Sequence, residues 1–455
     1  MTGRVTFVVP PRHGASVVAD FGGGLGFEPL DEYVLPPLDL LQLAACAQEA
    51  GWDCQVVDAL AYDLDVATTV DVVAGTCPDV VIINSTVPTL AADLAMAAAV
   101  SPLAARMLLR YRSAEPTEIR AALTGGVVDA CLTDECEIGI GEILEGSATA
   151  GTARLVDGVV VPSPGPVVSS LDDLPRPARE LVDGTRYRFP KLGIVATVQA
   201  SRGCPYPCGY YCPYPLVQGR KWRARSAGSV GAELAELVEM GTTAVLFRDP
   251  VFTLDMKRAA AICEEIRQRD LSLAWWCETR ADRLDAVLIE KMAAAGCRGI
   301  NVGVESGDPA LRFSTLKRGV TDELLIDLCA SAARSGVAIA FLMMVGFPGE
   351  TRSGVLRSGE LIERCRPAHV GISYPVNHPG TRFADDAVAN GWVGESARAS
   401  ASGSIPVVVA DLPASDMIVA KRLLQELHQR VATTPAISKD EALAPLRVWA
   451  GATIG

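Results

Sequence analysis

Three cysteines, Cys204, Cys208 and Cys212, stand within nine residues in the stretch Ser-Arg-Gly-Cys-Pro-Tyr-Pro-Cys-Gly-Tyr-Tyr-Cys that begins at Ser201. They are set among prolines, glycine and tyrosines rather than on an apolar helical face, so three thiolates can converge on one metal centre. A fourth cysteine would close a structural zinc site or an iron-sulfur cube. Three leave one metal corner open for a non-protein ligand, as a reactive cluster needs. On spacing alone the readings are an open iron-sulfur site, a zinc site short of its fourth ligand, and three unmetallated thiols.

Other polar residues gather where strands are expected to end. Arg248-Asp249-Pro250, Glu278-Thr279-Arg280, Gly303-Val304-Glu305-Ser306-Gly307 and Gly346-Phe347-Pro348-Gly349-Glu350 each follow or end an apolar run. One such residue is often a cap or a salt bridge; several at one rim suggest a site. Gln218 to Arg225 is the basic cluster of an acidic chain. Its Arg220, Arg223 and Arg225 are candidate contacts to a substrate or cofactor anion, with ordinary ion pairing as the alternative. His378, one of four histidines, lies in the loop Tyr374 to Thr381 and is a candidate substrate contact, with a structural role as its alternative.

These residues need a scaffold. Strands are expected at Ile194 to Gln199, Ala244 to Phe247, Leu273 to Trp276, Gly299 to Val304, Ile339 to Val345 and His369 to Tyr374. Helices are expected near 228–239, 256–269, 284–295, 321–334 and 354–366. Six strands with five crossovers imply a partial (β/α)6 barrel over residues 190–385, whose site lies at the C-terminal strand ends. Residues 1–150 alternate likewise. Strands at Val5 to Pro10, Cys54 to Val57, Asp79 to Asn84, Arg106 to Leu109 and Val127 to Leu132 are separated by helices at Leu38 to Glu49, Ala91 to Ala99, Pro116 to Leu123 and finally Glu137 to Leu144. That is a Rossmann-like α/β sheet without the G-x-G-x-x-G fingerprint, which disfavours a nicotinamide cofactor. Residues 151–189 read as a linker, with a small hairpin over Gly151 to Val161. Residues 386–455 read as a substrate or capping region with a mobile loop at Gly391 to Gly403, a strand at Val407 to Ala410 and a helix at Met417 to Val431.

The chain of 455 residues is 49% apolar, long enough for two or three cores. Forty-one Lys and Arg against 54 Asp and Glu give a net charge of -13, which disfavours a broad nucleic-acid surface. Thirteen cysteines and no apolar run of membrane length fit a cytoplasmic protein in a reducing compartment.

The cysteine stretch resembles the cluster loop of the radical S-adenosylmethionine (SAM) enzymes that also carry a cobalamin-binding domain, and most of all the methyltransferase branch. The family spacing is three residues, then two. Here it is three and three, with Tyr211 at the usual third position, so the resemblance implies a loop bulged by one residue with Cys204, Cys208 and Cys212 holding a [4Fe-4S] cluster. It further implies SAM contacts at Glu278, Arg280, Glu305, Ser306, Gly346, Phe347 and Pro348. Pro36-Pro37-Leu38-Asp39-Leu40-Leu41 and Glu49-Ala50-Gly51 resemble the family's cobalamin-binding domain, with Ser85, Thr86 and Val87 facing the corrin and its nucleotide tail. The D-x-H-x-x-G motif is absent, which implies cobalamin held without a histidine ligand. Arg110-Tyr111-Arg112 replaces the usual Gly-Gly pair. The implied activity is methyl transfer from methylcobalamin to an unactivated carbon, less readily to phosphorus, of a small natural-product intermediate. The implied partner is a low-potential electron donor such as flavodoxin or ferredoxin. Cyclisation or rearrangement is the alternative in the same frame, and a cobalamin- or metal-binding regulatory protein the alternative outside it.

Overall fold

Apolar runs of two lengths organise the chain into α/β layers: short ones buried on both faces as strands, and longer amphipathic ones as covering helices. The structure, a computed structural model, describes residues 3–12, 34–86, 89–112, 116–206, 210–313, 319–393 and 408–451. The described residues divide into two compact units. One holds the residues up to Gly203 together with Pro213–Arg225; the other holds Cys204–Cys212 and the residues from Ser226 onward.

The elements of the first unit are β1 (Arg4–Val9), α1 (Leu38–Glu49), β2 (Asp53–Asp58), α2 (Val66–Thr76), β3 (Val80–Ser85), α3 (Leu90–Val100), β4 (Arg106–Tyr111), α4 (Pro116–Leu123), β5 (Ala130–Leu132), α5 (Ile140–Glu145), β6 (Thr152–Val156) and β7 (Val159–Ser163). Its sheet runs β2-β1-β3-β4-β5-β6-β7. The first five strands are parallel, and β6 and β7 add an antiparallel hairpin. That hairpin turns at Asp157-Gly158, both at positive φ, as an Asp-Gly turn favours. Alternate residues divide between two cores: Val5, Phe7 and Ile82 pack with α1 and α5 on one face, and Val8, Val81 and Ile83 pack with α3 and α4 on the other. This is the doubly wound arrangement expected from the sequence.

Helix α2 was not expected. Its run is rich in valine and threonine, weak helix formers, and it starts because Asp65 accepts the N–H of Thr68 at 2.7 Å. The helix expected from Glu137 begins as a 3-10 turn, Glu137–Gly139, and becomes α-helical at Ile140. The strand expected at Ile194 to Gln199 is split. β8 (Arg188–Phe189) and β9 (Gly193–Ile194) form an antiparallel pair, and β10 (Ala196–Val198) starts after Val195 donates its N–H to Tyr187 O. Then β11 (Ser201–Arg202) pairs antiparallel with β12 (Arg223–Ala224), with the short α6 (Tyr214–Val217) before it.

The second unit contains α7 (Ala227–Glu239), β13 (Ala244–Phe247), α8 (Met256–Gln268), β14 (Ala274–Thr279), α9 (Ala286–Ala294), β15 (Cys297–Glu305), α10 (Pro309–Leu311), α11 (Asp322–Arg334), β16 (Ala338–Met344), α12 (Arg352–Cys365), β17 (His369–Ser373), α13 (Arg382–Ala389), α14 (Ala414–Thr433) and α15 (Lys439–Ala450). Strands β13 to β17 are parallel neighbours in sequence order, the repeat of a (β/α) barrel. Each crossover helix has a defined start: Ser226, Asp255, Asp285, Thr321 and Thr351 each accept a backbone N–H of the first turn. The tail departs from expectation at Val408 to Ala410, which are irregular rather than a strand; Val408 is buried in an apolar cluster with Phe347 and Phe383. Val407 and most of the Gly391 to Gly403 loop lie outside the described residues. Among those described, no helix is long and apolar enough to cross a membrane.

Candidate active site

Strand alternation sorts the side chains of the second unit's sheet. Trp276 and Glu278 share one face of β14, and register brings Asn301, Ala340 and His369 into line with Glu278 across β15, β16 and β17. Trp276 closes the lower part of this face: its Nε1 donates to Asn301 Oδ1 at 2.7 Å and its ring lies 6.0 Å from His369. Gly299 admits the ring, since a Cβ there would stand 2.2 Å from it. Toward the C-terminal ends the row narrows to Gly303, Leu342 and Gly371. The expected site residues lie at these same strand ends.

Arg280 just past β14 is buried and bonds Asp282 through Nε at 2.9 Å and Nη2 at 3.0 Å. Its guanidinium also lies 4.0 Å from the ring centroid of Tyr206, and Arg283 Nε donates to Tyr206 Oη. Tyr206 belongs to the cysteine loop, so the loop is gripped from the end of β14. Glu305 ends β15 at φ +68°, where the register shifts, and it is buried. Ser306 Oγ accepts the N–H of Asp308, and Gly307 donates to Ser358 Oγ at 2.8 Å. The Gly346-Phe347-Pro348 turn is held internally by Glu350, whose Oε2 accepts the Gly346 N–H at 2.6 Å. Glu350 is buried, and burial pushes its pKa up to about 7. His378 sits beyond β17; burial pushes its pKa down to about 4, so it is neutral at pH 7.

Cys204 is buried and Cys212 half-buried, and Cys208 lies outside the described residues. Tyr211 is turned edge-on to Phe347, 5.1 Å between centroids, and Tyr210 meets Phe383 at 5.6 Å. The two tyrosines thereby join the apolar cluster of Leu311, Phe347 and Phe383. Thiols of this kind fit soft iron, and the ring at the family's usual third position is committed to packing.

In the first unit, Ser85 ends β3 with its side chain buried, and its Oγ has no hydrogen-bond partner among the described residues. Such a hydroxyl at the C-terminal end of a parallel strand fits a polar ligand group. Thr86 is used locally: its Oγ1 is 2.8 Å from Thr89 Oγ1, which donates to Asp93 Oδ2 at the start of α3. Val87 lies outside the described residues. Arg110 and Arg112 are both drawn back onto Asp39 of α1, at 2.7 and 2.6 Å. Burial pushes the Asp39 carboxyl up, but the two guanidinium groups outweigh it and hold it well below the usual range.

The basic run separates into different roles. Arg223 is buried and grips Glu135 with Nη1 and Nη2, each at 2.7 Å, the ion-pair alternative for this residue. Arg202 adds a buried contact to Glu137 at 2.7 Å. Arg225 is buried and bonds Gln199 O at 3.4 Å, while Arg220 is exposed. Glu135, Tyr206 and Trp276 were not singled out from sequence, whereas Glu350 closes the Gly346 to Glu350 strand end that was. Of the missed residues, only the Trp275-Trp276 pair in mid-strand gave a local signal.

Residues 198–362 match the radical SAM superfamily. The chain is 26% identical over 369 residues to an uncharacterised methyltransferase of Pyrococcus horikoshii, covering 78% of this chain and 79% of that protein. It is 31% identical over 264 residues to the hopanoid C-3 methylase of Methylococcus capsulatus, covering 56% of this chain and half of that protein. In structure it is similar to the radical SAM methyltransferase TsrM of Kitasatospora setae, solved with cobalamin and a [4Fe-4S] cluster. The TM-score is 0.69 at 18% identity, over 86% of this chain and 75% of that one. The family match thus runs from the end of β10 to α12, and the likeness of fold to TsrM extends over most of the chain.

Proposed function

We propose that the protein is a cobalamin-dependent radical SAM methyltransferase that acts on an unactivated carbon of a small natural-product intermediate. The observation that carries this reading is the presence in one chain of a cysteine loop anchored at the end of β14 and a doubly wound sheet with an unsatisfied buried hydroxyl at Ser85. Methyltransferases among the relatives, and a methyltransferase of like fold solved with cobalamin, support it. When bound, the cluster, SAM and cobalamin supply radical generation and the methyl group. The chain's part is to hold and exclude. Cys204, Cys208 and Cys212 would hold the cluster; Glu278, Arg280, Glu305, Ser306 and the Gly346-Phe347-Pro348 turn would orient SAM; Ser85 would bind a polar group of cobalamin. The Tyr210, Tyr211, Phe347 and Phe383 cluster keeps water from one side of the loop. A low-potential reductant such as flavodoxin or ferredoxin would serve it.

Iron, sulfide and corrin measured together in one anaerobically reconstituted sample test the reading. About four irons with one corrin per chain are expected, followed by transfer of the labelled SAM methyl group to a compound in a small-molecule panel. About four irons with no retained corrin would strike out corrin-mediated transfer.

A further inference from the structure

Gly346 has a φ of +106°, and a Cβ built on it would lie 2.0 Å from Met417 Cε. The turn read as a SAM contact is thus covered by a side chain of α14. Three more ties run from the same C-terminal segment to the same turn and the helix after it. Gly349, also at positive φ, donates its N–H to Asp411 Oδ2. Arg352, in the first turn of α12, makes two bonds of 2.9 Å to Asp416 and stacks on Trp449 of α15. Gly359 of α12 lets the C-terminal helices approach closely, with Leu446 Cδ1 only 2.6 Å from its would-be Cβ. One turn beyond Met417, the Lys421 ammonium lies 5.2 Å from the Tyr374 ring at the end of β17.

A turn with glycines at two positive-φ positions is soft by itself. Its internal restraints are the Glu350 side chain on Gly346 and the Glu350 N–H on Phe347 O. We propose that Asp411, Asp416 and Met417 are positioning residues for SAM, acting through the Gly346–Glu350 turn as a latch, so that the C-terminal segment is a working part of the SAM site. This rests on reading that turn as a SAM contact. A side chain that only fills the core would change stability without changing how SAM sits. A latch changes SAM affinity while leaving the cysteine loop able to take up iron.

The experiment uses the full chain reconstituted with iron and sulfide, comparing Met417→Ala and Asp411→Ala with the conservative Met417→Leu and Asp411→Asn. The Ala variants should keep about four irons and weaken SAM binding about tenfold, with a smaller SAM-induced change in the spectrum of the reduced cluster. The conservative variants should restore most of the affinity. Amide hydrogen exchange on the unsubstituted protein is the second measurement: SAM should slow exchange at Ala414 to Lys421 as well as at Gly346 to Glu350. Ala variants that bind SAM within about twofold of the unsubstituted protein overturn the latch alone. So does protection confined to Gly346 to Glu350. An unsubstituted protein that holds its cluster but takes up no SAM overturns the reading of the turn, and the latch with it.

Discussion

Two neighbours of unlike chemistry meet at the end of the cysteine loop. Tyr211 spends its ring on Phe347, and Cys212 offers a half-buried thiol. Iron of this kind takes thiolate, so Cys212→Ala should purify with little iron and without the broad visible absorption of a cluster, whereas Tyr211→Phe should retain both. Iron analysis decides it, and a Cys212→Ala variant with a normal cluster spectrum would refute the bulged loop. Glu350 gives a second test at this scale. Its folded pKa, about 7, is above that of a carboxyl in an unfolded chain, so the fold favours the protonated form. That contribution is complete below the unfolded pKa and is lost as pH rises through 7, a swing of about 3 kcal/mol. Glu350→Gln should therefore melt higher than the unsubstituted protein near pH 8 and show a flatter dependence of melting temperature on pH. An unchanged slope would rule Glu350 out as its source.

Elements meet through a few close approaches. A Cβ on Gly307 would lie 2.3 Å from Ser358 Cα, a collision with backbone that no rotamer relieves. Gly307→Ala should push the end of β15 from α12 at a cost of about 1–3 kcal/mol, seen as a lower melting temperature of the cofactor-free protein. Strands, crossover helices and their caps were legible because each is written within a dozen residues: period, cap residue, apolar run. The cysteine loop and the four polar strand ends were legible for the same reason. The Arg223 pair was not, since its partner Glu135 lies far back in the chain and a basic run has the same sequence signature whether it faces solvent or a buried carboxylate. Helix α2 escaped because valine and threonine repeat without a clear helical stripe, and only the Asp65 cap marks its start. Met417 was legible as helix but not as the neighbour of Gly346.

For the whole molecule, the question is whether the first unit's sheet serves a cofactor of its own. Ser85 decides it with one atom. Removing a buried hydroxyl that bonds nothing among the described residues should leave stability unchanged or slightly improved. If the hydroxyl meets cobalamin, Ser85→Ala should also loosen the corrin by about 3- to 10-fold in a titration, with iron content untouched. Equal corrin affinity in the two proteins would remove Ser85 from the site. The path of the backbone sets a further condition on any such work. The chain leaves the first unit after Gly203, re-enters it at Pro213 and leaves again after Arg225. The two units are therefore not cassettes. A fragment ending at Gly203 loses the β12 strand that pairs with β11, and one beginning at Ser226 loses all three cysteines of the loop. A chimera made by crossing over once between relatives would take Arg202 from one parent and Arg223 from the other whenever the breakpoint fell inside the loop. Recombination should keep the fold only where residues 202–225 travel together with the Glu135 and Glu137 that Arg223 and Arg202 pair with.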